Sequence, residues 1–559
     1  MKPIVSIGAQ DFEKIRQDNI FYIDKTDFIR EWWENNDDVT LITRPRRFGK
    51  TLNMSMLKYF FSNQYKERAG LFKGLSIWEI ESYRELQGSY PVIFLSFADV
   101  KGTTYETARN HIVQKLIKLY SLNSYVKSDD ILTKEDWEYI HSIRKDMSDD
   151  VAAVAINYLA DYMYRFFGKK VLIFLDEYDT PLQEAYVHGY WHELTAFISS
   201  LFNTTFKTND YLERALLTGI TRISKESIFS DINNLEVVTT VSEKYAASFG
   251  FTEEEVIKAL DEFGLSENLE KVKYWYDGFR FGSRKDIYNP WSITKYLDSK
   301  KFDTFWANTS SNTLVGELIR QSSPDVKIAV EDLLNGKEIV TPLDEEIVFD
   351  QLYDSNEAIW SLLLASGYLR MDDISEDEEE VWYKLSLTNL EIKKEFRKII
   401  RRWFKNNSVR YNDFMKALLA GDVDYMNQYM NQITETVFSF FDTGNHPSKE
   451  SEPERFYHGF VLGLIVDSGI NYRITSNRES GFGRYDVIME PENIHDPAYI
   501  LEFKVYNPKK EKSLDETLES AHSQMRDKNY DAVLLAKGIS KGQIRHYGFV
   551  FRGKEVLIG

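Results

Sequence analysis

Four apolar runs within the first 220 residues constrain the fold of this chain more than any other feature of its sequence. Long amphipathic stretches separate these runs, which is the pattern of βαβ units. Helices cover a sheet built from such units, so its strands are apolar throughout. We therefore predict an α/β fold that begins with a parallel sheet with helices on both faces. The predicted strands are 39–45 (VTLITRP), 91–98 (PVIFLSFA), 170–178 (KVLIFLDEY) and 214–220 (RALLTGI).

Length and composition limit the classes of protein that the chain can belong to. Its 559 residues predict about three or four domains at roughly 150 residues each. A hydrophobic content of 43% excludes wholesale disorder. The sequence has no cysteine, which excludes disulfides, zinc–thiolate sites, iron–sulfur clusters and cysteine nucleophiles. Because it also shows no Sec-type signal and no run of about 18 apolar residues, we expect a cytoplasmic protein without a membrane partner.

The charge of the chain is strongly negative. Its 69 Lys and Arg against 88 Asp and Glu give a formal net charge of −19. Such a balance repels nucleic acid globally, so any contact with nucleic acid has to be local. Part of the acid is concentrated at 372–380 (DDISEDEEE), which we interpret as a solvated loop.

The pattern changes after about residue 290 and becomes helix-rich. Two predicted strands flank the acidic run, and a helix follows that we expect to open with a capping box of Thr388 and Glu391. This helix–hairpin–helix order suggests a winged-helix-like module, and a small α+β insertion fits equally well. The segment 441–454 is rich in turn-forming and charged residues and is the predicted linker. The predicted domains are 1–290, 291–445 and 446–559.

A glycine, a lysine and a threonine follow the first predicted strand directly. A P-loop needs backbone amides curled around phosphates, a lysine for the β- and γ-phosphate charge and a hydroxyl on magnesium. Gly49, Lys50 and Thr51 provide these groups, and a helix is predicted from about residue 52. Arg44 stands where the usual G-x-x-x-x-G-K-[ST] spacing has its first glycine. Arg46 and Arg47, beside the loop, could bind phosphate.

Polar residues also end the third and fourth predicted strands. Asp176 could hold magnesium together with Thr51, and Glu177 could polarise an attacking water. Thr218 could contact the γ-phosphate, and Arg222 could neutralise charge in cis or in trans. A capped turn and an ordinary strand exit are the alternative interpretations. A P-loop combined with a second strand ending in Asp-Glu favours nucleotide binding, whereas spacing alone does not determine hydrolysis.

The C-terminal part carries a second set of charged residues, placed within predicted strands 483–490 and 499–506. Side chains alternate along a strand, so Glu502 and Lys504 share one face, and Asp486 can meet them from the neighbouring strand. Two carboxylates and a lysine form a magnesium-dependent site for phosphodiester hydrolysis. A charged pair inside an apolar strand costs stability, which favours a site over an edge strand with a solvated face.

Three further residues could assist this second site. Glu454 opens a predicted helix and could add a third carboxylate, while Gln524 and Lys528 lie four apart and could contact phosphate. The sequence has neither the His-Glu-x-x-His spacing of zinc hydrolases nor a Gly-x-Ser-x-Gly nucleophile motif.

Nine stretches of the sequence, several of which contain the motifs described above, resemble the bacterial proteins that join an AAA-ATPase-like domain to a C-terminal PD-(D/E)xK nuclease-superfamily domain. They lie in the order of that family and span nearly the whole chain. The matching stretches are FYIDKTDFI (21–29), LITRPRRFGKTLN (41–53), LIFLDEYDTP (172–181), LLTGITRISKESIFSDINNL (216–235), YDGFRFG (276–282), IYNPWSI (287–293), FYHGFVLGL (456–464), SNRESGFGRYD (476–486) and ILEFKV (500–505).

The resemblance implies a P-loop ATPase followed by a helical, winged-helix-like region and a restriction-endonuclease-like α/β domain. It implies ATP and Mg²⁺ as cofactors, with magnesium held at Thr51 and Asp176 and again at Asp486 and Glu502, and Lys504 as the catalytic lysine. Glu454 and Gln524 are the implied auxiliary residues. The implied partner is nucleic acid, with DNA favoured over RNA and both left open, and the chain could form a homo-oligomer. Pairing an ATPase with a nuclease suggests a role in defence or mobile-element conflict.

Two other functions fit the same sequence. One is a signalling or scaffold NTPase whose nuclease-like domain binds a partner or nucleic acid without cleaving it. The other is a nucleic-acid-binding regulator that uses the winged-helix-like region, with ATP as a ligand.

Overall fold

The computed structural model describes residues 3–222, 228–229, 232–306, 312–343, 352, 355–376, 380–403, 411–441, 463, 472–478, 485–528, 530–553 and 555–559. The α-helices within these ranges are α1 (Phe12–Gln17), α2 (Asp27–Asn35), α3 (Lys50–Phe61), α4 (Glu81–Leu86), α5 (Tyr105–Leu122), α6 (Lys134–Ser142), α7 (Asp149–Ala153), α8 (Ala155–Phe167), α9 (Thr180–His188), α10 (Trp191–Phe202), α11 (Glu253–Phe263), α12 (Leu269–Tyr276), α13 (Pro290–Ser299), α14 (Asn312–Gln321), α15 (Pro324–Leu334), α16 (Asn356–Ala365), α17 (Leu390–Trp403), α18 (Tyr411–Ala420), α19 (Val423–Phe441), α20 (Leu514–Asp527) and α21 (Asp531–Ala536).

The strands of the same ranges are β1 (Val39–Thr43), β2 (Val92–Ser96), β3 (Val171–Asp176), β4 (Leu212–Gly219), β5 (Leu235–Val238), β6 (Phe251–Thr252), β7 (Phe279–Phe281), β8 (Arg284–Tyr288), β9 (Ile339–Pro342), β10 (Leu369–Glu376), β11 (Val381–Leu387), β12 (Tyr472–Arg478), β13 (Tyr485–Pro491), β14 (Ala498–Val505), β15 (Ile544–Arg552) and β16 (Glu555–Ile558).

The first sheet is parallel and has the strand order β2–β3–β4–β1–β5. β1 and β3 are buried along their whole length, and α3, α5 and α8 pack against the sheet. The four strands predicted from apolar runs are β1 to β4, so the prediction of a parallel α/β sheet is confirmed, and β5 is a further strand. Because the strands run in one direction, the carboxyl ends of β1, β3 and β4 meet at one edge, where open parallel sheets bind ligands.

The chain divides into two compact units. The first comprises residues 1–308 and 340–392, and the second comprises 309–339 and 393–559. The first unit holds the parallel sheet and a small antiparallel sheet of order β6–β8–β7. The division into domains at 290 and 445 stays a prediction, and most of the predicted linker lies outside the described residues.

A hairpin of β10 and β11 follows α16 and precedes α17, as the predicted helix–hairpin–helix order requires. β9 lies beside β11 and completes a three-stranded sheet. The interpretation of 372–380 as a loop is wrong for its first half, because β10 continues to Glu376 with a register shift between Met371 and Asp373. The acidic side chains are compatible with a strand here because this end of β10 is exposed to solvent.

The predicted capping box at the start of α17 is wrong. The side chain that caps this helix is Asn389, whose Oδ1 accepts a 3.0 Å hydrogen bond from the N–H of Ile392. The Thr388 hydroxyl instead donates to the carbonyl of Gly367 at 2.9 Å. Glu391 is 2% exposed and its carboxylate binds groups from a distant part of the chain. Sequence spacing could not reveal this, because the competing partners are remote in sequence.

The second sheet is mixed and has the strand order β12–β13–β14–β15–β16. Only β14 and β15 run parallel to each other, while the other pairs are antiparallel. α20 packs on β14 and β15, and Ile500, Met525 and Leu534 share a buried apolar cluster beneath it. This mixed α/β layer agrees with the predicted restriction-endonuclease-like class, and the two strands predicted around Asp486 and Glu502 are β13 and β14.

Two asparagines of α19 occupy the outer edge of this sheet. Asn427 both donates to the carbonyl of Ile558 and accepts from its N–H, each at 2.8 Å. Asn431 makes the same pair of bonds to Val556, at 2.7 and 2.8 Å. A free edge strand invites pairing with another chain. The two amides take the place of a neighbouring strand and satisfy the edge of β16.

Among the helices that the structure describes, none combines the length and the apolar character needed to cross a membrane.

Candidate functional sites

The loop between β1 and α3 has the backbone geometry of a phosphate-binding turn. Gly49 has a φ of +83°, which glycine adopts readily, and α3 begins at the next residue. Lys50 is only 6% exposed, and its Nζ donates to the carbonyls of Arg44 at 2.8 Å and Pro45 at 2.9 Å. Burial lowers the pKa of Lys50 to about 8, and Glu177 opposes that change by its negative charge. The lysine therefore rests inside its own loop, next to the acids that end β3.

Asp176 is fully buried at the carboxyl end of β3. Its Oδ1 accepts a 2.7 Å hydrogen bond from the hydroxyl of Thr218, at the end of the neighbouring strand β4. Its Oδ2 is buried and has no hydrogen-bond partner of normal geometry among the described residues. Burial raises the pKa of Asp176, whereas Thr218 and Thr51 lower it. A buried carboxylate oxygen beside the P-loop threonine and lysine is a fitting ligand for Mg²⁺, which prefers hard oxygen donors.

Glu177 turns away from the strand with a left-handed φ of +52°. Its N–H donates to the Thr218 hydroxyl at 3.4 Å, and its Oε2 accepts from the hydroxyl of Thr180 at 3.2 Å. A non-glycine residue in this region of φ is strained and persists only where its surroundings hold it. Thr218 thus contacts both acids, while the sequence suggested a contact with γ-phosphate, which stays a prediction.

Asp179 is a further residue of this site, and it was not among the residues predicted from the sequence. It is 1% exposed, and its Oδ2 accepts from the N–H groups of Ile220 and Thr221 and from the hydroxyl of Thr221, at 2.9 to 3.0 Å. The carboxylate thereby holds the loop that leads from β4 to Arg222. Its position three residues after Asp176 was the available signal.

Arg44 supports the P-loop from within the protein. Its guanidinium is fully buried and donates to the carbonyls of Thr43 at 2.9 Å and Thr239 at 2.7 Å. It also lies 4.6 Å from the ring centroid of Phe281. The substitution of the usual glycine by arginine therefore has a structural cause, because the side chain fills a buried site beside β5.

The arginines predicted to bind phosphate have partners within the protein. Arg46 donates to Oε1 of Gln183 at 3.3 Å. Arg47 lies over the ring of Trp291, 4.1 Å from its centroid, and has a left-handed φ of +67°. Arg222 lies in the loop after β4. Phosphate binding by these three arginines stays a prediction.

The second site centres on Glu502 in β14. Glu502 is 0% exposed, and neither of its carboxylate oxygens has a hydrogen-bond partner among the described residues. Asp486 lies directly opposite Glu502 in the antiparallel pair of β13 and β14. On the other side, Glu502 is in register with Gly548 of β15. The sheet thus brings together the two acids that the sequence predicted.

Lys504 lies on the same face of β14, towards α20. Its Nζ donates to the hydroxyl of Ser520 at 2.8 Å and to the carbonyl of Ser520 at 3.2 Å. Gln524, one helical turn further along α20, has a buried Nε2 without a hydrogen-bond partner in the described part of the chain. Ser520 was not predicted, and its spacing of four from Gln524 was the only signal. Lys528 follows the last residue of α20.

Two predicted groups of this site lie outside the described structure, a whole residue and a side chain. Glu454 is not among the described residues, and for Asp486 only the backbone is described. The described side chains include no group of three or more His, Cys, Asp or Glu placed to hold one metal ion.

Two models of known protein families match separate regions of this chain. Residues 6–229 match the family model described as "Predicted AAA-ATPase", and residues 452–559 match the "PD-(D/E)XK nuclease superfamily". The chain is an AAA-ATPase-like protein with a C-terminal PD-(D/E)XK nuclease-superfamily domain. The AAA-ATPase-like match contains the P-loop, β3 and β4, and the nuclease-superfamily match contains β12 to β16 and α20.

This AAA-ATPase-like and nuclease-superfamily chain is also similar to a relative over nearly its whole length. The relative is described as "Uncharacterized protein in vnfD 5'region" from Azotobacter chroococcum mcd 1. The two chains are 24% identical over 550 residues, which cover 95% of this chain and 94% of the relative. The relative's description names no activity.

Proposed function

We propose that this chain binds and hydrolyses ATP at its P-loop and cleaves a nucleic-acid phosphodiester, DNA rather than RNA, at Glu502 with Mg²⁺. Membership in the two families supports an ATPase and a nuclease-like function. The observation that carries the proposal further is the Glu502 carboxylate, which is buried with no hydrogen-bond partner among the described residues for either oxygen.

A buried, unpaired carboxylate costs several kcal/mol unless a ligand compensates it. Positions opposite each other in an antiparallel pair share one face of the sheet, so Asp486 and Glu502 together would hold one divalent cation. When bound, Mg²⁺ would supply Lewis acidity and a more acidic water. Lys504, held by Ser520, would orient the scissile phosphate. Gln524 would donate to a phosphate oxygen through Nε2, which has no hydrogen-bond partner among the described residues.

The arrangement around Asp176 supports the ATPase part of the proposal. Asp176 and Thr51 would hold magnesium, and the Lys50 ammonium would exchange its two loop carbonyls for phosphate oxygens. Glu177 would orient the attacking water. Its hydrogen bonds with Thr180 and Thr218 are long, at 3.2 and 3.4 Å.

The deciding experiment is a cleavage assay on plasmid, linear duplex, single-stranded DNA and RNA. Each is incubated with Mg²⁺ or Mn²⁺, with and without ATP. Wild type is compared with Lys504→Ala and Lys50→Ala, and the matched controls are two exposed lysines of the same two regions, Lys510→Ala and Lys101→Ala.

We expect cleavage that is lost in Lys504→Ala, retained in Lys510→Ala, and changed by ATP only when Lys50 is present. Cleavage that survives Lys504→Ala would come from a contaminant and would contradict the proposal. ATP binding without cleavage of any substrate would instead support a signalling or scaffold NTPase. Binding of a specific nucleic-acid sequence that survives Lys504→Ala, with no cleavage, would support the regulator.

A further inference from the structure

Two side chains from outside the P-loop hold it by donating hydrogen bonds to one of its carbonyl groups. The carbonyl of Arg46 accepts a 2.9 Å hydrogen bond from the indole Nε1 of Trp306 and a 3.2 Å bond from Nδ2 of Asn289. Because a trans peptide is planar, its C=O and N–H point in opposite directions. Anchoring the Arg46 carbonyl therefore directs the N–H of Arg47 away from Trp306 and Asn289. In a P-loop such N–H directions decide whether a phosphate is bound.

The two groups that hold Arg46 are themselves fixed. Asn289 caps α13, since its Oδ1 accepts from the N–H groups of Trp291 at 2.9 Å and Ser292 at 3.2 Å. The amide that donates to Arg46 is therefore oriented by the helix start. Trp291 also stacks on the Arg47 guanidinium, which supports the left-handed φ of Arg47.

A buried carboxylate holds this assembly together. Oε1 of Glu391 accepts from the N–H groups of Phe305 at 2.5 Å and Trp306 at 2.6 Å, and Oε2 accepts from the hydroxyl of Ser292 at 2.7 Å. Glu391 is 2% exposed and lies in the first turn of α17, about 85 residues beyond Trp306 in sequence. One side chain thus ties the segment carrying Trp306 to the start of α13.

We infer that Glu391 is a positioning residue for the P-loop. Through Trp306 and the start of α13 it sets the orientation of the Arg46–Arg47 peptide and hence the loop's affinity for a nucleotide polyphosphate. By thermodynamic reciprocity, a nucleotide that favours this loop geometry also stabilises the contacts of Glu391 at the start of α17. The affinity part of this inference rests on the proposed nucleotide function, whereas the structural coupling does not.

Hydrogen exchange of the chain without nucleotide tests the coupling directly. Wild type is compared with Glu391→Ala, Trp306→Phe and the conservative Glu391→Gln, whose amide oxygen can still accept from both N–H groups. Glu376→Gln, at the exposed end of β10, is the matched control. We expect peptides covering residues 44–51 to exchange about fivefold faster or more in Glu391→Ala and Trp306→Phe. Glu391→Gln should lie between these variants and wild type, and Glu376→Gln should equal wild type.

Faster exchange confined to residues 289–306 and 388–395, with residues 44–51 unchanged, would overturn the inference and leave Glu391 a merely structural residue. If Glu391→Ala fails to fold, Trp306→Phe decides, because it removes the indole N–H and keeps an aromatic ring. ATP affinity is measured in parallel, and we expect it to fall about fivefold or more in Trp306→Phe. Absence of ATP binding in wild type would refute the proposed ATPase function, while the nucleotide-free exchange would still test the coupling.

Discussion

The hydroxyl of Thr218 donates a 2.7 Å hydrogen bond to Oδ1 of Asp176. The same oxygen atom of Thr218 accepts the N–H of Glu177 at 3.4 Å. One short side chain of β4 therefore orients both acids at the end of β3, one through its carboxylate and the other through its backbone. Parallel pairing makes this contact possible, because Leu175 and Leu217 are in register immediately before the two residues.

Replacing Thr218 by valine should impair both stability and ATP turnover. The change keeps the shape but leaves both oxygens of a fully buried Asp176 without a normal hydrogen bond, which costs about 1–3 kcal/mol. We expect ATP turnover at saturating Mg²⁺ to fall roughly tenfold, as for loss of a group that positions catalytic residues. Denaturant unfolding and steady-state turnover measure the two effects.

The matched control for this variant is Thr40→Val in β1 of the same sheet. Thr40 is also fully buried, but its hydroxyl has no hydrogen-bond partner in the described part of the chain. Removing an unsatisfied hydroxyl should be neutral or stabilising. Equal losses of stability in the two variants would contradict the role assigned to the Thr218–Asp176 bond.

Restoring the usual glycine of the P-loop pattern should destabilise the protein. Arg44→Gly removes a buried guanidinium that donates to the carbonyls of Thr43 and Thr239, leaving these acceptors and a large void. We expect the free energy of unfolding to fall by about 3–5 kcal/mol, by analogy with loss of one partner from a buried charged network. Urea unfolding measures this change. A variant as stable as wild type would show that Arg44 has no supporting role.

Lys50 should make the stability of the protein rise with pH in the alkaline range. Burial lowers the pKa of Lys50 to about 8 in the folded chain, while an unfolded lysine has a pKa of about 10.4. Between these values the unfolded state binds more protons, so the free energy of unfolding increases with pH. We expect wild type to gain on the order of 2 kcal/mol over Lys50→Met between about pH 7.5 and 9.5.

This prediction is checked by denaturant unfolding at both pH values. Lys101→Met, at an exposed position, should show no such pH-dependent difference from wild type. A difference between wild type and Lys50→Met that stays constant or shrinks with rising pH would contradict the lowered pKa.

Glu502→Gln should separate stability from metal binding. Without divalent cations the variant should be more stable than wild type by about 1–3 kcal/mol, because it removes a buried charge that has no hydrogen-bond partner among the described residues. Millimolar Mg²⁺ should raise the melting temperature of wild type, EDTA should reverse that rise, and the variant should respond to neither. Thermal unfolding of both proteins measures this. Glu492→Gln, at an exposed position of the same unit, should behave as wild type, and equal stabilisation of Glu502→Gln by Mg²⁺ would exclude Glu502 as a ligand.

The double variant Asn427→Ala with Asn431→Ala should free the edge of β16. Four hydrogen bonds to the backbone are lost, at about 1 kcal/mol each or slightly less, so we expect a loss of about 2–4 kcal/mol. Alanine favours helix more than asparagine, so α19 itself is not weakened. Denaturant unfolding and light scattering should reveal lower stability and more self-association. Gln428→Ala, exposed on the same helix, should change neither, and an unaltered double variant would contradict the edge-capping role.

Local patterns in the sequence predicted the parts of the structure that depend on near neighbours. Apolar runs bounded by polar residues predicted β1 to β4, and alternation predicted β13 and β14. Because parallel strands present their carboxyl ends at one edge, the same patterns brought Lys50, Asp176 and Thr218 to one region without further information. The burial of Glu502 followed from its position between apolar residues of a central strand.

The sequence by itself therefore determined the α/β class and the strands that carry or precede the predicted catalytic residues. Tertiary structure alone decided which partner each polar side chain takes: Glu391 binds Phe305, Trp306 and Ser292 instead of capping its own helix, and Arg44 fills a buried site beside β5. The reason is physical. Secondary structure follows from periodicity over a few residues, whereas a buried charge takes whichever partners the folded chain brings near it. Trp306 lies 85 residues from Glu391, and Thr239 lies 195 residues from Arg44.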